Sequence, residues 1–310
     1  MRRSHDSDER INGLGRVGDD ADDKPDRRIP LNINGQRMSN RGEAKNSLWR
    51  RLGFALAVGF VAARPMTAFA QANPAEFDAA AAAYKKSAAA QIDSLIAGVE
   101  DMATAMQLGD FATARKAWIE SHAGWERLEV LTADLFPDLQ QGIDGWPSAR
   151  TGFHAVEIAL FAPTPRFPQW ETAELLDELY RFRRVFAQSD LTGNFLIAGM
   201  AILAYKTSAT ESGGGESSMS GTSLDDLRHN MEGLDRIWKT TFADAVAAKH
   251  KDLADKIATR IAGIFALITV PSEDQLDQLT LQQELEQLAA ELAEATVALG
   301  WTNPNYKTRR

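Results

Sequence analysis

The sequence predicts an all-α protein, an antiparallel helical bundle that forms a single domain after a disordered N-terminus and a signal peptide. Three observations lead there. From Phe77 onward, apolar residues recur at spacings of three, four or their sums, the spacing of one helix face. Gly, Pro and short polar residues interrupt that rhythm at helix-length intervals. No run of alternating β-branched residues is bounded by turn residues, so no strand is predicted.

Residues 1–46 are rich in Arg, Asp, Asn, Gly and Ser and hold no sustained apolar period, the composition of a disordered segment. Residues 47–70 read as a signal peptide. Arg50-Arg51 precede the apolar run from Leu52 to Ala63, and Ala68-Phe69-Ala70 supplies a small-x-small cleavage site after Ala70. The run is shorter than the ~20 apolar residues a membrane-spanning helix needs. Paired arginines occur in both general and twin-arginine export signals, so the route stays open. Met38 would open a signal sequence of ordinary length, which makes residues 1–37 an overcalled start or a disordered extension.

The remaining chain, 72–305, reads as helices. Asn73-Pro74 opens the first, whose buried stripe is Phe77, Tyr84, Ile92, Leu95, Val99, Met102 and Met106. Gly109-Asp110 ends it and caps a second helix, which carries Phe111, Trp118, Trp125 and Leu128 and runs to Pro137. Residues 138–150 are expected to be a loop, followed by a short helix from Arg150 to Phe161 and breaks at Pro163, Pro165 and Pro168. Helices are predicted over 171–188 and 191–207, then a Gly/Ser linker over 211–222 that cannot pack a core. Ser223 with Asp226 gives a capping signature for a helix running towards His250. Two more helices, 251–268 and 272–299, complete the chain.

The absence of cysteine excludes disulfides, thiolate metal sites and cysteine nucleophiles, so any metal must be held by oxygen and imidazole. The net charge is −9, with the acidic excess after residue 70; such a surface disfavours nucleic acid and attracts cations. Without a lipid-attachable cysteine the mature chain would be peripheral to a membrane at most.

His154 and Glu157, three apart on the short helix, project from one face and could chelate one cation amid Phe153, Val156, Leu160 and Phe161. A helix-surface ion pair or a hydrogen-bonded core histidine would produce the same spacing. On the preceding helix, His122, Glu126 and Glu129 fall at i, i+4 and i+7 beside Trp118 and Trp125. That stripe is either the rim of the core or the inside of a site. Asp144 follows in the connection. Carboxylates plus imidazole without thiolate suit Fe(II), Fe(III), Zn(II) or Mn(II). His122 could be a ligand, a partner behind a ligand, or core.

These residues resemble a known family. Gly152-Phe153-His154-Ala155-Val156-Glu157 is similar to the Gly-x-His-x-x-Glu motif of the imelysin-like family, particularly its EfeO-like branch. Trp125-Glu126-Arg127-Leu128-Glu129, Gly142-Ile143-Asp144, Ser220-Gly221, Asp226-Leu227 and Asn230-Met231-Glu232-Gly233 resemble further segments of that branch in order and spacing. The resemblance covers about residues 75–302. It implies a periplasmic, or otherwise extracytoplasmic, metal-binding protein of an iron-uptake system. The metal would be iron or another divalent metal ion, zinc included, held by His154 and Glu157 with Glu126, Glu129 and Asp144. The companions it implies are an iron permease and a haem-containing peroxidase. The acids expected after the Ser-Gly pair are here Thr222 and Ser223, which counts against a secondary metal site in that region. The length after the signal corresponds to the short, single-domain form.

Two other functions fit the residues less well. An imelysin-like metallopeptidase would need a second histidine, as in His-Glu-x-x-His, or a nucleophile motif; neither is found, and no catalytic residue is assigned. A helical interaction module without metal would leave the polar stripe solvated.

Overall fold

The computed structural model describes residues 74–145, 150–210 and 217–308. The expected N-terminal extension, the signal segment 47–70 and residues 211–216 of the Gly/Ser stretch lie outside them. Among the described residues all regular structure is helical, as the periodicity predicts.

Helix α1, Pro74–Gln107, buries the whole predicted stripe from Phe77 to Met106. Gly109, at φ +75°, turns the chain. Asp110 then caps α2, Phe111–Glu126, by accepting the Thr113 N–H at 3.1 Å. The two helices pack along one another.

The next stretch departs from the expectation. Helix α2 ends at Glu126 rather than running on to Pro137, and the chain passes through a 3-10 turn, Glu129–Leu131, and a short α3, Thr132–Leu135. Pro137 starts a helix instead of ending one, because a fixed φ and a missing N–H are tolerated in a first turn. That helix, α4, Pro137–Ile143, occupies most of the segment expected to be a loop. The break after Glu126 is set by tertiary packing. A Cβ on Gly233 would lie 2.4 Å from the carbonyl oxygen of Arg127, so a neighbouring helix sits directly on the turn. Propensity alone does not report such a contact.

Helix α5, Gly152–Leu160, is followed by α6, Gln169–Gln188, and α7, Gly193–Thr210. Helix α8, Ser223–Ile237, continues through a π-turn, Trp238–Phe242, into α9, Ala243–Lys249. Helices α10, Lys251–Ile268, and α11, Gln278–Ala298, close the bundle. Helix α11 packs on α7 and α10, whereas α2 packs against both α5 and α8, and α8 also meets the 3-10 turn. Trp118, Trp125, Phe153 and Leu128 are fully buried. No helix among the described residues is long and apolar enough to cross a membrane.

Candidate metal centre

Helix α2 delivers His122 and Glu126 one turn apart, and both are completely buried. The His122 ring stacks on Trp118 with centroids 4.7 Å apart and lies 5.0 Å from the Phe153 ring, which fixes its plane. Its Nε2 is 3.1 Å from Asp144 Oδ1 and 3.1 Å from Glu126 Oε1; its Nδ1 is 3.1 Å from Asp226 Oδ1.

Asp144 follows the last residue of α4, and Trp125 Nε1–H donates to its Oδ2 at 2.7 Å. The other oxygen, Oδ1, faces the histidines. His154 Nε2, from α5, lies 3.3 Å from that same oxygen. Gly152 sets the start of α5. It adopts φ +63°, and a Cβ there would stand 1.8 Å from the carbonyl oxygen of Ile143, beside Asp144. The glycine therefore allows the helix carrying His154 to begin against the residue carrying Asp144.

Glu157 is placed differently. Its Oε2 is 3.1 Å from His154 Nδ1, and its Oε1 accepts both the N–H and the O–H of Ser220 at 2.8 Å. Both oxygens are engaged, and the carboxylate sits on the side of the imidazole away from Asp144. The Ser220 segment was expected to be free linker. Within its described part, Ser217 is fully buried, Ser220 is held by Glu157, and Ser220 and Thr222 share a 2.9 Å hydrogen bond.

Helix α8 contributes residues that the sequence assigned to other roles. Ser223 with Asp226 has the spacing of a capping signature, yet α8 has no side-chain cap and Asp226 reaches His122. Asn230, one turn on, donates from Nδ2 to Glu126 Oε2 at 2.6 Å. Asp226, Asn230 and Gly233 fall at i, i+4 and i+7, a stripe of small and polar residues facing inward that could have signalled a site. Glu129 lies to one side. Its Oε1 accepts from Gln140, whose Oε1 in turn accepts from Lys206 at 3.0 Å.

The electrostatics follow from the burial. For His122, burial opposes the charge, but Asp226, Asp144 and Glu126 outweigh it and raise the pKa well above the usual value. Burial, reinforced by the neighbouring Asp144, Glu129 and Asp226, pushes Glu126 well above the carboxylate range against the pull of His122. Burial, followed by Asp144, raises Glu129 to about 7 against the opposing charge of Lys206. Asp144 goes the other way. Its burial is overcome by the charges of His122 and His154 and by hydrogen bonds, and its pKa falls to about 2. Glu157 is lowered despite burial, by hydrogen bonds from His154 and Ser220.

Four buried polar atoms here have no hydrogen-bond partner within the protein: Glu126 Oε1, His154 Nε2, Asp226 Oδ2 and Asn230 Oδ1. Each such orphan costs about 1–3 kcal/mol when nothing else satisfies it. Two groupings of three donors lie close enough to share a cation, His122-Asp144-His154 and His122-Glu126-Asp226. Of the residues expected as ligands, the structure brings His154, Asp144 and Glu126 together around His122. Glu157 stands on the Nδ1 side of His154, and Glu129 accepts from Gln140 while lying near Asn230 and Asp144.

The fold and this cluster define an all-α protein built around a buried set of imidazoles and carboxylates. The sequence model of the family described as Imelysin matches residues 80–181 and 169–299, and the chain belongs to that family. Its relatives include the iron uptake system component EfeM of Pseudomonas syringae pv. syringae (strain B728a), 27% identical over 64% of this chain and 73% of that protein. They also include the iron uptake system component EfeO of Yersinia pseudotuberculosis, 29% identical over 50% of this chain and 44% of that protein. EfeO of Escherichia coli (strain K12) is 27% identical over 54% of this chain and 49% of that protein. The chain thus spans less than half the length of these EfeO proteins. The EfeO-like resemblance read from the motifs stands.

Proposed function

We propose that this protein is an extracytoplasmic metal-binding component of an iron-uptake system, and that it carries iron, or another divalent cation, without catalysing a reaction. One domain, 72–305, would follow an export signal in 47–70, and an iron permease and a haem-containing peroxidase would be its companions. The names of its relatives support the uptake role. The observation that carries the metal role is the convergence of two imidazole Nε2 atoms on one carboxylate oxygen, next to a buried glutamate oxygen that lies 3.1 Å from one of them and makes no hydrogen bond.

The spacing suits a cation. Around a metal with bonds of about 2.1 Å, adjacent donor atoms stand about 3.0 Å apart in an octahedron and about 3.4 Å apart in a tetrahedron. The distances from His122 Nε2 to Asp144 Oδ1 and to Glu126 Oε1, and from His154 Nε2 to Asp144 Oδ1, are 3.1, 3.1 and 3.3 Å. His122, His154, Asp144 and Glu126 would hold the ion, a donor set matched to iron, zinc or manganese. Glu157 and Asp226, each on the Nδ1 side of one imidazole, would orient the two rings, an arrangement metal-ligating histidines commonly have. Glu129 would add negative charge beside the ligands and offers a further oxygen if Gln140 releases it.

X-ray absorption at the iron edge, on protein loaded anaerobically with Fe(II), tests this reading. The expected first shell contains nitrogen and oxygen with scattering from two imidazoles. A shell without imidazole, or failure to retain stoichiometric Fe(II), would overturn it.

A further inference from the structure

The four-donor position leaves part of the cluster unused. Asp226 Oδ2 and Asn230 Oδ1 have no partner, and neither belongs to the donor set just described. Both side chains are more than nine-tenths buried, with exposures of 6% and 8%. They lie one turn apart on α8, so their side chains emerge on the same face. Their other polar atoms are fixed. Asp226 Oδ1 is held by His122 Nδ1, and Asn230 Nδ2 donates to Glu126 Oε2. The free oxygens are therefore oriented, and rotating either group to satisfy one atom would strand the other.

Glu126 connects the two regions. Its Oε1 faces the histidines, and its Oε2 faces α8 through Asn230. A carboxylate so placed can bridge two cations. Resting on the metal-binding reading above, we propose that the centre is dinuclear, with a second, oxygen-coordinated divalent cation held between α2 and α8 by Asp226, Asn230 Oδ1 and the bridging Glu126. The cluster is rich enough in negative charge for two ions: Asp144, Glu126, Asp226, Glu129 and Glu157 are five buried or nearly buried carboxylates, against which Lys206 stands beside Glu129 as a positive charge. Pairs of imidazoles with several carboxylates, projecting inward from facing helices, are the materials of dinuclear sites in helical bundles. Such ions stand about 3.5–4 Å apart. The first position is nitrogen-containing and suits iron or zinc, whereas the second, with oxygen donors only, favours harder ions such as Mn(II).

The test is a titration of the metal-free full domain with Mn(II), read by bound stoichiometry and by electron paramagnetic resonance. Two bound ions and a broadened, spin-coupled spectrum are expected. Asn230→Leu should weaken the second ion by about tenfold or more and return an isolated six-line signal from the first. Asn230→Asp, which adds a charged oxygen at the same place, should tighten the second ion and keeps the test informative if the leucine variant folds poorly. Saturation at one Mn(II) with an uncoupled spectrum overturns the dinuclear proposal and leaves the single-ion reading standing. No bound Mn(II), together with a failure to retain Fe(II), overturns both.

Discussion

His122 Nδ1 lies 3.1 Å from Asp226 Oδ1, on the far edge of the ring from Asp144 and Glu126. His154 repeats the arrangement with Glu157 on its Nδ1 and Asp144 on its Nε2 side. Each imidazole thus has a carboxylate at its back and the shared Asp144 oxygen in front. This distinction between residues in front and behind separates the effects of substitution.

His122→Ala and His154→Ala should each remove a direct donor and abolish most of the metal-dependent rise in melting temperature. For wild type at about 100 times the dissociation constant, that rise corresponds to about 2.7 kcal/mol. Glu157→Gln should retain binding, weakened by about 10- to 100-fold, because that carboxylate would orient the His154 ring from its Nδ1 side rather than touch the ion. Melts with Zn(II) and with chelator check this. A Glu157→Gln variant as impaired as His154→Ala would make Glu157 a ligand.

Metal binding should release protons. Without a cation, both nitrogens of His122 face carboxylates, which hold its pKa well above the usual value, and burial pushes that of Glu126 well above the carboxylate range. The imidazolium proton on Nε2 then occupies the direction a metal would take. Loading requires neutral imidazole and ionised carboxylate, so both groups must give up protons and affinity should rise with pH. Calorimetry at pH 7 in buffers of different ionisation enthalpy measures the release. An enthalpy independent of buffer would contradict the ionisation states assigned to His122 and Glu126.

The sequence made the helices legible because burial leaves a three-and-four-residue signature; the stripe from Phe77 to Met106 and the span 251–268 both follow it. It singled out His154, Asp144 and Glu126, which the structure brings together around His122. What it hid depends on contacts between distant residues. Asp226 occupies a position where a cap and an inward-facing ligand look alike in one dimension. Only the approach of α2 decides between them. The end of α2 at Glu126 depends in the same way on Gly233, a hundred residues further on. Ser220 lies in a Gly/Ser stretch whose composition predicts solvation, and its contact with Glu157 spans 63 residues.

Glu129 should make the metal-free protein less stable as pH rises. Its folded pKa of about 7 exceeds the ordinary value of 4.5, so between these values the folded state binds more protons than the unfolded chain. Stability therefore declines from pH 4.5 to about pH 7 and levels off above. The opposite holds for Asp144, whose lowered pKa contributes stability above about pH 4 that is lost as pH falls through about 2. Chelated protein melted at intervals from pH 4.5 to 8 should show the decline, and Glu129→Gln should flatten it. An unchanged slope in the variant would assign the decline to another group.

Gly152→Ala tests how the backbone sets the centre. The residue combines a left-handed φ of +63° with a Cβ position 1.8 Å from the carbonyl oxygen of Ile143. The left-handed conformation alone costs a non-glycine residue about 1–2 kcal/mol. The clash is with backbone, which cannot rotate aside as a side chain would, so α5 must move away from Asp144. His154, two residues along, moves with it, and the 3.3 Å approach of its Nε2 to Asp144 lengthens. A total destabilisation of about 2–4 kcal/mol is expected from strain plus overpacking. Metal affinity should fall along with stability, although no ligand has been altered. Denaturant unfolding with and without Zn(II) separates the two effects: a variant that loses stability but keeps wild-type affinity would show that α5 can shift without moving His154 from the site.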